Sequence, residues 1–170
     1  MVTEATQLLT TTVWVDSLLG FVPRALTKEE LGVLNEYKAV QPSIEERTFT
    51  RFLPTHPNHP CAVWARSSSA NFRWLYEYTD ALNCEYIYRY EKTVNHKSFE
   101  AARNLPAPTR LENLGITPRP LSMPDEYKCN SDVDSYRMYY MADKARMAKW
   151  KRRDKPHWWD EYLVKELQNG

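Results

Sequence analysis

Glycine is scarce, at 4 in 170 residues against 11 prolines. Tight hairpin turns draw on glycine at positive φ, so this shortage argues against an all-β fold of many short strands. No apolar run approaches the roughly 20 residues of a membrane-spanning helix. Met1 is not followed by the basic and then apolar pattern of a secretory leader. Together these absences point to a cytoplasmic protein. Cysteine is also sparse. Cys61, Cys84 and Cys129 are odd in number and widely spaced, which fits neither a disulfide framework nor paired zinc ligands. They are expected to be reduced and packed as small apolar side chains. No metal site and no cofactor is expected.

What is present is apolar and aromatic. Hydrophobic residues make up 42% of the chain and aromatics 13%, with 6 Trp and 11 Tyr. That composition belongs to a globular protein and not a disordered one, and the length suits one domain spanning residues 1–170. The net charge of +1 hides an asymmetry. Residues 136–155 hold eight Lys/Arg against two Asp, while the 27–47 region and the last eleven residues lean acidic. A local basic block on a near-neutral chain points to a specific anionic contact.

The expected fold is all-α, with five to seven helices around one long central helix and long proline-rich loops. Leu8, Leu9, Val13 and Trp14 share a face of a first helix over 3–18, despite the helix-disfavouring run Thr10, Thr11 and Thr12. Thr27 and Glu30 form a capping-box pattern ahead of a short helix over 28–37. Pro60 opens another over 60–66. Ser68 or Ser69 caps the longest, over roughly 70–91. There Phe72, Leu75, Tyr78, Leu82, Tyr86 and Tyr90 recur at spacings of three and four, which reads as the core stripe. A short helix is expected within 93–104. The proline-rich run that follows should be extended, and two further helices are expected over 132–150 and 157–168.

Four groups of residues carry candidate chemistry. His56 and His59 stand three apart in a proline-bounded turn. They are an acid–base pair, phosphate contacts or two of three metal ligands, unless one simply caps the 60–66 helix and the other is exposed. Arg66, Ser67, Ser68, Ser69, Asn71 and Arg73 surround a helix start, where free N–H groups and arginines attract phosphate. The competing reading is ordinary serine capping. Arg137, Lys144, Arg146, Lys149, Lys151, Arg152 and Arg153 lie among Tyr139, Trp150, Trp158 and Trp159. This mixture is typical of nucleic-acid surfaces, and also of a solvated helix face over buried aromatics. Glu4 is either an acid–base group with a raised pKa or an exposed first-turn acid.

The combination of HPNHPCAVWARSSSANFRWLYEY, EYIYRYEK, PLSMPDEYK and SYRMYYMADKARMAKWKRRDKPHWW resembles a group of uncharacterised proteins of tailed bacteriophages, including T-even-like and cyanobacterial phages. The resemblance covers nearly the whole chain from Thr3. The group is in turn similar to the phage pyrimidine-dimer DNA glycosylases of the endonuclease V type. These are small helical enzymes that pair an N-terminal amine nucleophile with a glutamate of the first helix. The points of likeness are Glu4, His59 before an aromatic-rich helical run, and the ending Lys155, Pro156, His157, Trp158. Members of the phage group carry a preceding segment with a Cys-Asp-Lys-His run that this sequence lacks. If that segment is catalytic, the chain is expected to fold and bind without reacting. For the chain to react, the amine nucleophile could only be Met1 itself, three residues from Glu4 and on the same helical face.

The resemblance implies a phage-encoded DNA-processing or DNA-modifying protein in the host cytoplasm, with double-stranded DNA as its partner and no membrane. Base-excision glycosylase/lyase chemistry on a flipped base leads, with Glu4, His56 and His59 as catalytic residues. A transferase in phage thymine hypermodification, working through the His56/His59 turn, is a second reading. A non-enzymatic protein that binds a host or virion protein is the third.

Overall fold

A computed structural model describes residues 1–40 and 52–160. The chain divides into two compact units, Met1–Pro118 and Arg119–Gly170. The described residues are all-helical, with no strand among them. The first unit holds α1 (Val2–Leu19), α2 (Lys28–Ala39), α3 (Pro60–Arg66), α4 (Ser69–Tyr90) and α5 (Lys97–Arg103). The second holds α6 (Asp132–Tyr139) and turns of tighter and wider winding around it.

The helix starts fall where local chemistry puts them. Thr27 Oγ1 accepts the Glu30 N–H, and the Glu30 carboxylate accepts the Thr27 N–H at 2.8 Å, closing a capping box at α2. Pro60 begins α3 behind an imidazole cap from His59. Ser68 caps α4 through the Ala70 N–H at 3.2 Å. His96 caps α5, with its Nδ1 accepting the Ser98 N–H at 3.2 Å.

The centre of the first unit is α1, not the longer α4. α1 packs against α2, α3, α4 and α5, and it is buried on every side over much of its length, including Leu9 through Asp16. α4 buries one narrow face, Asn71, Leu75, Thr79 and Asn83. Of the stripe expected on α4, only Leu75 is buried, while Tyr78 and Tyr90 are exposed. Three of the four residues on that face are polar, and the larger aromatics of α4 lie outside it. One apolar cluster joins Ala5, Leu9, Trp64, Ala65, Leu75, Phe99 and Ala102. A second joins Val15, Val22, Leu26 and Leu34.

The threonines of α1 act as polar pins. Thr3 Oγ1 lies 3.0 Å from Ser98 Oγ, and Thr6 Oγ1 donates to the Ser98 carbonyl at 3.2 Å. Thr11 Oγ1 both donates to the Thr55 carbonyl and accepts its N–H, each at 3.0 Å. Thr12 bonds back to the Leu8 carbonyl. Thr10 Oγ1, equally buried, has no hydrogen-bond partner. Near the end of α1 the buried Asp16 carboxylate accepts the N–H groups of Thr109 and Arg110 at 3.0 and 3.1 Å. This ties down the extended strap that follows α5. Gly20 closes α1 at φ 82, a conformation that suits glycine.

In the second unit, Ser131 caps α6 through the Asp134 N–H. The helix expected over 132–150 leaves α geometry after Tyr139. It widens into a π-helical turn, Tyr140–Lys144, tightens at Ala145–Met147 and is extended by Ala148. Aromatic packing accompanies that break. Tyr139 meets Tyr127 at 5.3 Å between centroids, and Tyr140 meets Trp158 and Trp159 at 6.3 and 6.0 Å. Trp159 also meets Trp150 edge-on at 5.2 Å. Helix resumes at 157–160, and the remainder of the expected last helix lies outside the described residues.

Candidate functional site

The HPNHP turn is a structural corner. Thr55 on its approach is fixed by Thr11. Asn58 clamps the Leu26 backbone at both ends, its Oδ1 accepting the N–H at 2.6 Å and its Nδ2 donating to the carbonyl at 3.0 Å. The Pro57 carbonyl accepts from Arg66. His59 spends Nδ1 on the Cys61 N–H at 3.2 Å, which puts the proton of the neutral ring on Nε2. His56 holds φ at 47° and has Nδ1 2.7 Å from Thr55 Oγ1. Both rings are exposed.

Glu4 lies at the surface with its side chain 77% exposed, 3.3 Å from the Met1 α-amine. Tyr78 on α4 feels it. Although Tyr78 as a whole is 38% exposed, partial desolvation of its phenol raises its pKa above the ordinary value, and the Glu4 charge adds to the effect. Among the described residues no hydrogen bond or ion pair joins Glu4, His56 and His59 to one another. Each is engaged by its immediate neighbours.

The α4 start is covered by the chain itself. Ser68 Oγ accepts the Leu114 N–H as well as the Ala70 N–H, and the Ser69 N–H donates to the Glu112 carbonyl. Buried Asn71 donates to the Trp64 carbonyl and to Thr117 Oγ1 and accepts the Thr117 N–H. Arg66 is not at the surface at all. Its side chain is 0% exposed, and its guanidinium donates to the carbonyls of Val22, Pro57 and Arg24 at 2.8, 2.5 and 2.5 Å. Desolvation lowers its pKa to about 10, although Glu30 pulls the other way. Of this group only Arg73 is exposed. The expected phosphate site at this helix start is therefore filled by residues 112–117, with Arg66, Ser68 and Asn71 holding backbone. Sequence reading missed Asp16 and Asn58, the residues that anchor the strap and the turn. An acid inside the apolar second half of α1 was the available signal for Asp16.

The basic group of the second unit stays at the surface. Arg146, Lys149, Lys151, Arg152, Arg153 and Lys155 are exposed, and Arg152 holds φ at 57°. The two remaining cations pack on rings. The Arg137 guanidinium lies 5.3 Å from the Trp158 centroid, and the Lys144 ammonium lies 5.2 Å from that of Tyr139. Such contacts hold a cation beside an aromatic face without neutralising it.

Among the described residues no group of three His, Cys, Asp or Glu is placed to hold a metal ion, and no helix is long and apolar enough to cross a membrane. Comparison with known protein families, with curated proteins and with solved structures finds no match.

Proposed function

We propose that this protein binds DNA through the basic face of its second unit, in the DNA-processing setting of the phage proteins it resembles. The observation that carries the reading is the exposed run Arg146, Lys149, Lys151, Arg152, Arg153 and Lys155 beside the Tyr140, Trp150, Trp158 and Trp159 cluster. Six cations lie within ten residues of sequence, with Asp154 the one acid among them. A polyanion bound along such an exposed run gains counterion release. The left-handed backbone at Arg152 is uncommon for a residue other than glycine, and such conformations gather at binding sites.

Binding is the part of the reading that the geometry supports. A glycosylase, lyase or transferase role for Glu4, His56 and His59 has less behind it, because each of the three is satisfied locally. Fluorescence anisotropy of a labelled duplex, measured from 50 to 200 mM salt, tests the binding. About five phosphate contacts give a log–log slope near −4.5. The triple variant Lys149→Glu/Lys151→Glu/Arg153→Glu is expected to flatten the slope by about 2 to 3. Absence of binding at low salt sinks the proposal. Borohydride trapping on abasic DNA separates a lyase from a binder.

A further inference from the structure

Trp150 in the second unit differs from the tryptophans that build the first. Trp14 and Trp64 are buried, and their indole N–H groups donate to the Phe52 carbonyl at 2.9 Å and the Thr117 carbonyl at 3.0 Å. That is the usual state of a tryptophan serving as core. Trp150 is half-buried, and its N–H has no hydrogen-bond partner among the described residues. Its ring meets buried Trp159 at an interplanar angle of 82°, so the two ring faces do not cover each other. The same contact closes a loop. The Arg153 N–H donates to the Trp150 carbonyl at 3.4 Å, in a turn that holds Arg152 at φ 57°, and Trp159 then brings the chain back to Trp150. Trp150 thus stands at the neck of a short basic loop. Lys151, Arg152 and Arg153 are engaged by other groups of the chain. Arg146, Lys149 and Lys155 are exposed, and none has an ion pair or hydrogen bond among the described residues. The described acids close in sequence are Asp154 and Asp160, both exposed, and Asp143, which accepts from the Tyr127 hydroxyl at 3.3 Å.

We propose that Trp150 is a stacking platform for an unpaired base, so that the form of DNA this face prefers is a single strand. In a duplex the bases are already stacked on one another, and a protein ring finds no base face without unstacking a step. In a single strand every base offers a π-face, and such strands are held by aromatic side chains beside cations that track the backbone. A half-exposed indole next to exposed Lys149, with Arg146 and Lys155 on either side in the sequence, supplies both parts within ten residues of the second unit. The contact with Trp159 holds the ring in place, which lowers the ordering cost of binding. The unpartnered indole N–H is available to donate to a phosphate or base oxygen at the same spot.

The platform rests on the DNA-binding reading, and its test separates the two. The probes are a labelled thymidine strand of about 16 nucleotides and a labelled duplex of the same length, read by anisotropy in one buffer. The wild-type chain is expected to bind the strand about tenfold more tightly than the duplex, which is the worth of one stacked base. Trp150→Leu keeps an apolar neighbour for Trp159 and has no π-face. It is expected to lose most of the preference while binding the duplex within about twofold of wild type, because phosphate contacts carry that binding. Trp150→Phe restores a π-face and should recover part of the preference. Melting temperatures of both variants check that the loop stays folded, and the wild-type comparison decides the matter even where a variant does not. Equal binding of the two forms by wild type, or a preference for the duplex, overturns the platform and leaves DNA binding standing. A strand preference undiminished in a folded Trp150→Leu also overturns it. No binding of either form removes the DNA reading and the platform with it.

Discussion

Replacing Arg66 with methionine keeps most of the side-chain volume and removes the guanidinium. That guanidinium is fully buried and supplies three donors to the carbonyls of Val22, Arg24 and Pro57. Hydrogen bonds from a charged donor contribute about 1.5–3 kcal/mol each, so three are worth about 4.5–9 kcal/mol gross. Methionine also relieves the desolvation of a buried cation, which costs several kcal/mol. The net expected loss is about 3–5 kcal/mol, since three buried acceptors are left without their donor. For a unit of this size about 4 °C accompanies each kcal/mol, so the melting temperature should fall by about 12–20 °C. Lysine in its place has one compact ammonium and cannot span three diverging carbonyls, so Arg66→Lys should recover less than half of the loss. Urea unfolding followed by tryptophan fluorescence reads the effect, because Trp14 and Trp64 are buried in the same unit. Arg73→Met is the control, exposed and expected within about 0.5 kcal/mol of wild type. A loss below about 1 kcal/mol in Arg66→Met would refute the argument that this arginine holds the corner between α1, α2 and α3.

Three further perturbations test the same picture. Thr10→Val removes a buried hydroxyl that has no partner; the variant should be more stable by about 1 kcal/mol in urea unfolding, and a loss of stability would mean that the hydroxyl is satisfied. Asp16→Asn gives up one of two backbone acceptors and turns an NH₂ toward an N–H; a loss of about 2 kcal/mol is expected, with faster amide exchange at Thr109 and Arg110 than elsewhere in the unit. Glu30 is held at a pKa of about 2, first by the Arg24 guanidinium and then by the Thr27 N–H. Its folded pKa lies below its unfolded one, so its contribution is complete above the ordinary carboxylate range and is lost as pH falls toward 2. Glu30→Gln should flatten the stability profile in that window, and an unchanged profile would count against the Arg24–Glu30 pair first and the Thr27 contact second.

Several elements were legible because their causes are local. The capping box at Thr27 and Glu30, Pro60 at the first turn of α3 and the serine cap of α4 each act within three or four residues. The capping role of His59 was one of two readings that the spacing left open, and the structure shows the ring making that cap. The end of α6 was not legible. No proline or glycine stands in 132–150, and the helix leaves α geometry where Tyr139 and Tyr140 pack on rings from Tyr127, Trp158 and Trp159.

The candidate sites divide in the same way. Arg66 and Arg73 look alike in the sequence, seven residues apart in one polar patch. One is sealed inside and the other exposed, because α3 turns Arg66 toward carbonyls more than forty residues upstream. The basic run at 146–155 was visible as composition, and it remains exposed.

By itself the sequence determined the all-α class, most helix boundaries and the basic block, since periodicity, caps and charge act over short distances. Tertiary structure alone decided that α1 is the hub, that its threonines pin segments 44 to 95 residues away, and that the start of α4 is covered by residues 112–117. It also decided which polar groups are sealed inside. A β-branched polar run reads as a weak helix until partners distant in the chain accept its hydroxyls, and a buried charge is settled only by where the surrounding carbonyls point.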